Sequence, residues 1–152
     1  MLSITNSITI DKPLQEVFAF VSDPCNNPKW NYYVQKVEKI NESEGIGAEY
    51  LQTRKRDKQK FGILVFKANE RVVIQSLPHE RLYVRRDMRF EGNANQTTIM
   101  DQIDFKIPLP QFLSGLVLRA PKNGVKQNLE KLKQLLETGS AVLQDGMKVS
   151  YE

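Results

Sequence analysis

The sequence predicts an α+β fold: one curved antiparallel sheet of six or seven strands closing on a long C-terminal helix around a cavity. Three observations predict it. Runs of alternating apolar and polar residues recur from the N-terminus to about residue 107, and the short links between consecutive runs imply antiparallel hairpins. One compact helical stretch, Val17-Phe18-Ala19-Phe20-Val21-Ser22-Asp23-Pro24 leading to the single Trp30, interrupts the strands early. The segment from Gln111 to Glu137 then carries an apolar stripe at helical spacing.

Leu2, Ile4, Ile8 and Ile10 alternate with Ser3, Thr5, Ser7 and Thr9, the pattern of a half-buried first strand in which Asn6 is the one polar interruption. Asp11-Lys12-Pro13 reads as an N-terminal cap with a proline near the first helical position. Leu14, Val17, Phe18 and Val21 follow at i, i+3, i+4 and i+7. Ser22-Asp23-Pro24 repeats the start signal, Asp23 accepting from free amides, so a second, very short helix should end near Pro28-Lys29-Trp30.

Strands are expected at 32–40, 48–56, 61–76, 81–90 and 96–107. They are separated by Gly45/Gly47, a charged turn at 57–60, Leu77-Pro78-His79 and Gly92-Asn93-Ala94-Asn95. Pro108-Leu109-Pro110 stops the last strand because proline cannot donate to the ladder. In the helix that follows, to about 138, the stripe is Phe112, Leu113, Leu116, Val117 and Ala120, then Val125, Leu129, Leu132, Leu135 and Leu136. Pro121, with Gly124, should kink or briefly break it, and Gly139 should cap its end. Residues 1–138 therefore read as a single domain, and 139–152 as a mobile tail or an added strand.

A length of 152 residues suits one core, and 40% apolar with 26% charged residues is ordinary for a soluble globular chain. No apolar run approaches the roughly 20 residues of a membrane-spanning helix, so no transmembrane segment is expected. The start, Met1-Leu2-Ser3-Ile4-Thr5-Asn6, lacks a basic region followed by an apolar block, so no signal peptide and a cytoplasmic location are expected. Cys25, the single cysteine, excludes an internal disulfide and a multi-cysteine metal site. The sole histidine, His79, lies in a turn between strands, and no nucleophile with a base, metal cluster or phosphate loop is visible, so neither metal nor cofactor is expected. The net charge of +4 is mild, and only Arg54-Lys55-Arg56-Asp57-Lys58-Gln59-Lys60 is concentrated. A solvated strand-turn-strand tip explains that run as well as a nucleic-acid patch would, and no nucleic-acid partner is expected.

The order of elements, the phrase from Val17 to Pro24 with Trp30, and the ending Leu129-Glu130-Lys131-Leu132-Lys133-Gln134-Leu135-Leu136-Glu137 together resemble the SRPBCC superfamily. The likeness is to its polyketide cyclase/dehydrase-like or coenzyme Q-binding-like branch, over essentially residues 1–138. It implies the START-like helix-grip fold, in a superfamily that includes ligand carriers, aromatase/cyclases, hydrolase-like proteins and chaperone regulators.

Polar residues on apolar strand faces mark the expected site. In 81–90 the even positions Leu82, Val84, Met88 and Phe90 are apolar and Arg86 shares their face; in 96–107 the odd positions Ile99, Ile103, Phe105 and Ile107 are apolar and Asp101 shares theirs. A loop of Gly92-Asn93-Ala94-Asn95 would pair Met88 with Ile99 and Arg86 with Asp101. Such a pair is either structural or a polar anchor for a ligand's carbonyl, phenol or carboxylate. Trp30, Tyr32, Tyr50 and Phe66 are the aromatic candidates for the lining, with Leu113, Leu116, Val117 and Ala120 as a lid from the long helix. Strand 48–56 presents either Tyr50, Gln52 and Arg54 or Leu51 and Thr53 to the cavity. The expected function is binding or transport of a small hydrophobic molecule, aromatic, isoprenoid or lipid-like. The alternatives are a cyclase/dehydrase-type enzyme using Asp101, Arg86 and a tyrosine hydroxyl, and a protein-interaction module using the basic turn or the tail.

Overall fold

A computed structural model describes residues 1–106 and 114–152, without the side chains of 114–120. Seven strands form one sheet: β1 (Leu2–Ile10), β2 (Val34–Lys39), β3 (Glu49–Arg54), β4 (Lys58–Lys67), β5 (Arg71–Ser76), β6 (Val84–Gly92) and β7 (Thr97–Phe105). Their order is β1-β7-β6-β5-β4-β3-β2, a meander from β2 to β7 with β1 returning beside β7. All six pairings are antiparallel. Helix α1 (Leu14–Val21), a 3-10 helix (Pro24–Lys29) and helix α2 (Ser114–Thr138) complete the helix-grip arrangement. No helix among the described residues is long and apolar enough to cross a membrane.

The expected strand at 61–76 is in fact two, β4 and β5. The chain reverses at Ala68-Asn69-Glu70, where Asn69 takes φ 62° and the Glu70 amide donates to the Lys67 carbonyl. Neither glycine nor proline marks this turn, and asparagine is among the few other residues that visit the left-handed region readily. The start of α1 also differs from expectation. Pro13 itself is the N-cap, without a side-chain cap bond, while the Asp11 carboxylate accepts from Gln96 and its amide donates to Glu137. The 3-10 helix starts as read, with Asp23 accepting from the Cys25 amide and Pro24 in the first turn.

Pro121 does not interrupt α2, which continues as helix from Ser114 to Thr138. A proline removes one amide donor and crowds one turn, and a helix anchored by packing elsewhere can carry that loss. The anchoring residues are Leu129, Leu132, Leu135 and Leu136, all buried against α1 and the inner face of β1, β6 and β7. Gly139, at φ 87°, closes the helix through its amide to the Leu135 carbonyl. Beyond it, β8 (Ser140–Val142) and β9 (Lys148–Ser150) form a hairpin whose Ala141 is buried in the same core, with Val149 and Tyr151 packed against it.

Two apolar clusters fill the concave side. The larger joins α1, Trp30 and α2 to Val72, Met88, Phe90 and Ile99. The smaller lies on β2 to β4, around Val34, Val37, Tyr50, Phe61 and Ile63. The cavity lies at the end of the sheet where β3 turns into β4 and β5 into β6.

Candidate functional site

A cavity of about 380 Å3 opens between the concave face and the part of α2 that carries Pro121, Val125 and Asn128. Its apolar wall includes Ile4, Phe61, Ile74, Val84, Ile103 and Val125. Gln52 and Arg54 line it as well, so the Tyr50/Gln52/Arg54 face of β3 is the inward one.

The polar wall is largely tied to itself. Asn128, 2% exposed, accepts from the Tyr32 amide and from Gln144 and donates to Asn31. Gln59 donates to the Leu82 carbonyl, and Ser76 accepts from the Val84 amide. Arg54 holds both oxygens of Asp57 at 2.8 and 2.9 Å; that hydrogen-bonded pairing keeps the Asp57 carboxyl below the usual carboxylate range.

Arg86 and Asp101 meet as a bidentate pair, Nε to Oδ1 at 2.8 Å and Nη2 to Oδ2 at 2.6 Å. The Asp101 side chain is fully buried and that of Arg86 is 12% exposed. The strand register differs from expectation by two residues. Met88 lies opposite Asp101, Arg86 opposite Ile103 and Gly92 opposite Thr97, so the loop is 93–96. A slip of two keeps every side chain on its face, and the long arginine reaches its diagonal neighbour. Gly92 permits this register, because a Cβ there would lie 2.3 Å from the Gln96 carbonyl oxygen. Trp30, 1% exposed, lies under the guanidinium at 5.4 Å, and Asn6 stands opposite Asp101 across β1 and β7. The polar interruptions of three adjacent strands thus coincide.

Of the residues expected to line the cavity, Arg86 and Ile103 do so. Asp101 lies behind Arg86, while Trp30 and Met88 border a crevice of about 30 Å3 beneath it. Tyr32 lies in an outer groove of about 770 Å3. Tyr50, Phe66, Phe90 and Ile99 are packing residues instead. Tyr50 stacks on Phe61, Phe18 meets Phe66 and Phe90 edge-on, and Ile99 is wholly buried. Helix α1 fills that half of the concave face, so an inward strand position need not face the cavity. Leu113 lies outside the described residues, as do the side chains of Leu116, Val117 and Ala120.

Sequence reasoning missed Gln59, placed in a turn although it is the second residue of β4 and shares the inward face of Phe61, and the asparagines Asn27, Asn31 and Asn128. Asn128 was legible as a polar residue beside the leucine stripe. Cys25 and His79 are both exposed, on the 3-10 helix and the β5–β6 turn. Partial burial of the sulfur, with the charge and hydrogen bond of Asp23, pushes the Cys25 thiol up, away from the thiolate.

A sequence profile described as polyketide cyclase/dehydrase and lipid transport matches residues 1–137. The chain belongs to that family. No curated protein matches it. Among solved structures it resembles a START superfamily protein from Mycobacterium smegmatis, at 10% identity and a TM-score of 0.69 over 88% of this chain and 98% of that one. It also resembles XoxI from Bacillus cereus, at 13% identity and a TM-score of 0.71 over 88% and 94%. The Aha1 dimer from Colwellia psychrerythraea gives 15% identity and a TM-score of 0.68 over 91% and 98%. These likenesses establish that the polyketide cyclase/dehydrase and lipid transport family member described here has the helix-grip, SRPBCC-type fold.

Proposed function

We propose that this chain binds a small, mainly apolar molecule, aromatic, isoprenoid or lipid-like, in the cavity beneath α2. The observation that carries the reading is a cavity of about 380 Å3, within the roughly 300–1,000 Å3 of small-molecule sites, whose polar wall groups are mostly engaged with one another. Asn27, Gln52 and the outer N–H groups of Arg86 retain hydrogen-bonding capacity among the described residues. Asp101 takes two of the five donors of Arg86 and balances its charge, so the anchor favours a neutral acceptor such as a carbonyl or phenol oxygen. The same pairing argues against proton transfer by Asp101, whose two oxygens both accept from Arg86 in a site without solvent exposure.

The test is titration of the protein with the neutral apolar fluorophore N-phenylnaphthylamine, beside the cavity-filling variant Ile103→Trp. Saturable binding at one site, weakened at least ten-fold by the variant, is expected. Equal binding by a folded Ile103→Trp protein would place the ligand elsewhere.

A further inference from the structure

We propose that the β3–β4 turn is a docking surface for anionic lipid bilayers, set at the mouth of the cavity. Segment 54–60 holds five basic residues and one acidic one, a net charge of +4, which equals the net charge of the whole chain. The remainder, with 17 basic and 17 acidic residues, is neutral. The whole excess charge therefore sits in one hairpin.

The turn is built to present that charge. Arg54 and Asp57 close it through a backbone hydrogen bond of 2.8 Å and the bidentate side-chain pair. This leaves Lys55 and Arg56 exposed at the tip, without an acidic partner among the described residues. Lys58 follows, also exposed. The other acid of the adjoining groove, Asp145, accepts the Met147 amide.

The surroundings of the turn select a lipid surface over a nucleic acid. The groove beside it carries Tyr32 and Tyr33, packed edge to face at 5.2 Å, together with Leu143 and the 57% exposed Met147. Tyrosines beside basic residues and apolar side chains suit the headgroup boundary, where an amphipathic ring has one wet end and one dry end. Tyr33, Val34 and Arg54 border both the groove and the cavity, so a bilayer held at the turn faces the entrance to an apolar chamber. Attraction by clustered Lys and Arg to anionic lipid is electrostatic and is screened by salt.

The experiment is co-sedimentation of the full chain with phosphatidylcholine vesicles, with and without phosphatidylserine, at low and high ionic strength. Salt-sensitive binding only to the anionic vesicles is expected. Each basic residue near such a surface contributes about five-fold in partitioning, so Lys55→Gln/Arg56→Gln should weaken binding about 25-fold. Lys67→Gln/Arg89→Gln, the same charge change at the opposite end of the sheet, should leave it within about two-fold. Equal loss in both variants would overturn the proposal, as would binding indifferent to phosphatidylserine, or retention on single-stranded DNA without binding to anionic vesicles. N-phenylnaphthylamine titration of the same variants separates this proposal from the cavity reading. Probe binding that persists without vesicle binding refutes docking alone, and vesicle binding without probe binding refutes the cavity alone.

Discussion

Removing Arg86 should destabilise the protein far more than removing a surface arginine. Arg86→Met takes away both hydrogen bonds to Asp101, at 2.8 and 2.6 Å, and leaves a carboxylate with no solvent exposure. Asn6 stands opposite Asp101 but offers an amide rather than a charge, so it cannot replace the guanidinium. Breaking a buried pair from one side costs about 3–5 kcal/mol, and for a chain of this size that lowers the thermal midpoint by about 6–20 °C. Asp101→Leu should cost less, about 1–3 kcal/mol, because Arg86 already borders the cavity and keeps its stacking on Trp30. The double variant Arg86→Met/Asp101→Leu should return to within about 1–2 kcal/mol of the parent, since no charge is then stranded. Urea unfolding of the four proteins, read as a double-mutant cycle, gives the coupling. Additive losses below about 1 kcal/mol each would refute the reasoning and mark a solvated pair.

Gly92→Ala should cost about 2 kcal/mol or more, because its Cβ would meet the backbone at Gln96 and Thr97 rather than a movable side chain; an unchanged urea midpoint would contradict the register of β6 and β7. Gly124→Ala places a Cβ 2.5 Å from the Tyr33 hydroxyl, the end of a half-exposed side chain. Stability should therefore change by less than about 1 kcal/mol, helix propensity offsetting the displaced ring, while N-phenylnaphthylamine affinity shifts because Tyr33 borders the cavity. Unchanged affinity would remove Tyr33 from the entrance. The hydrogen-bonded Arg71 guanidinium holds the Asp87 carboxyl below its usual range, against partial burial. A depressed carboxyl stabilises the fold above its unfolded pKa of about 4, and that stabilisation is lost as pH falls through the folded value. Asp87→Asn should accordingly flatten the drop in urea midpoint between neutral and strongly acidic pH, and an unaltered slope would refute the assignment.

What the sequence revealed of the fold was periodicity and punctuation. Alternation located the strands, and the proline and aspartate at 23–24 located the 3-10 helix. The hairpin at Asn69 was hidden because neither glycine nor proline marks it, and the sole break is the short stretch Lys67-Ala68-Asn69-Glu70-Arg71 between two apolar runs. For the site, strand phase brought Arg86 and Asp101 to one face without knowledge of the register, since a two-residue slip preserves faces. Phase alone could not say which half of that face is filled. That depends on where α1 lies, and Phe18 packs against Phe66 and Phe90 there, which leaves the opposite end open. Asn31 and Asn128 are joined across 97 positions of sequence, a contact no local pattern encodes.

Native mass spectrometry of freshly purified protein, before and after incubation with N-phenylnaphthylamine, tests the cavity reading most directly. A single small-molecule adduct is expected, either carried through purification or formed on incubation, that is lost on denaturation and strongly reduced in folded Ile103→Trp. Absence of any adduct in the parent protein under both conditions, or an adduct of equal occupancy in Ile103→Trp, would contradict it.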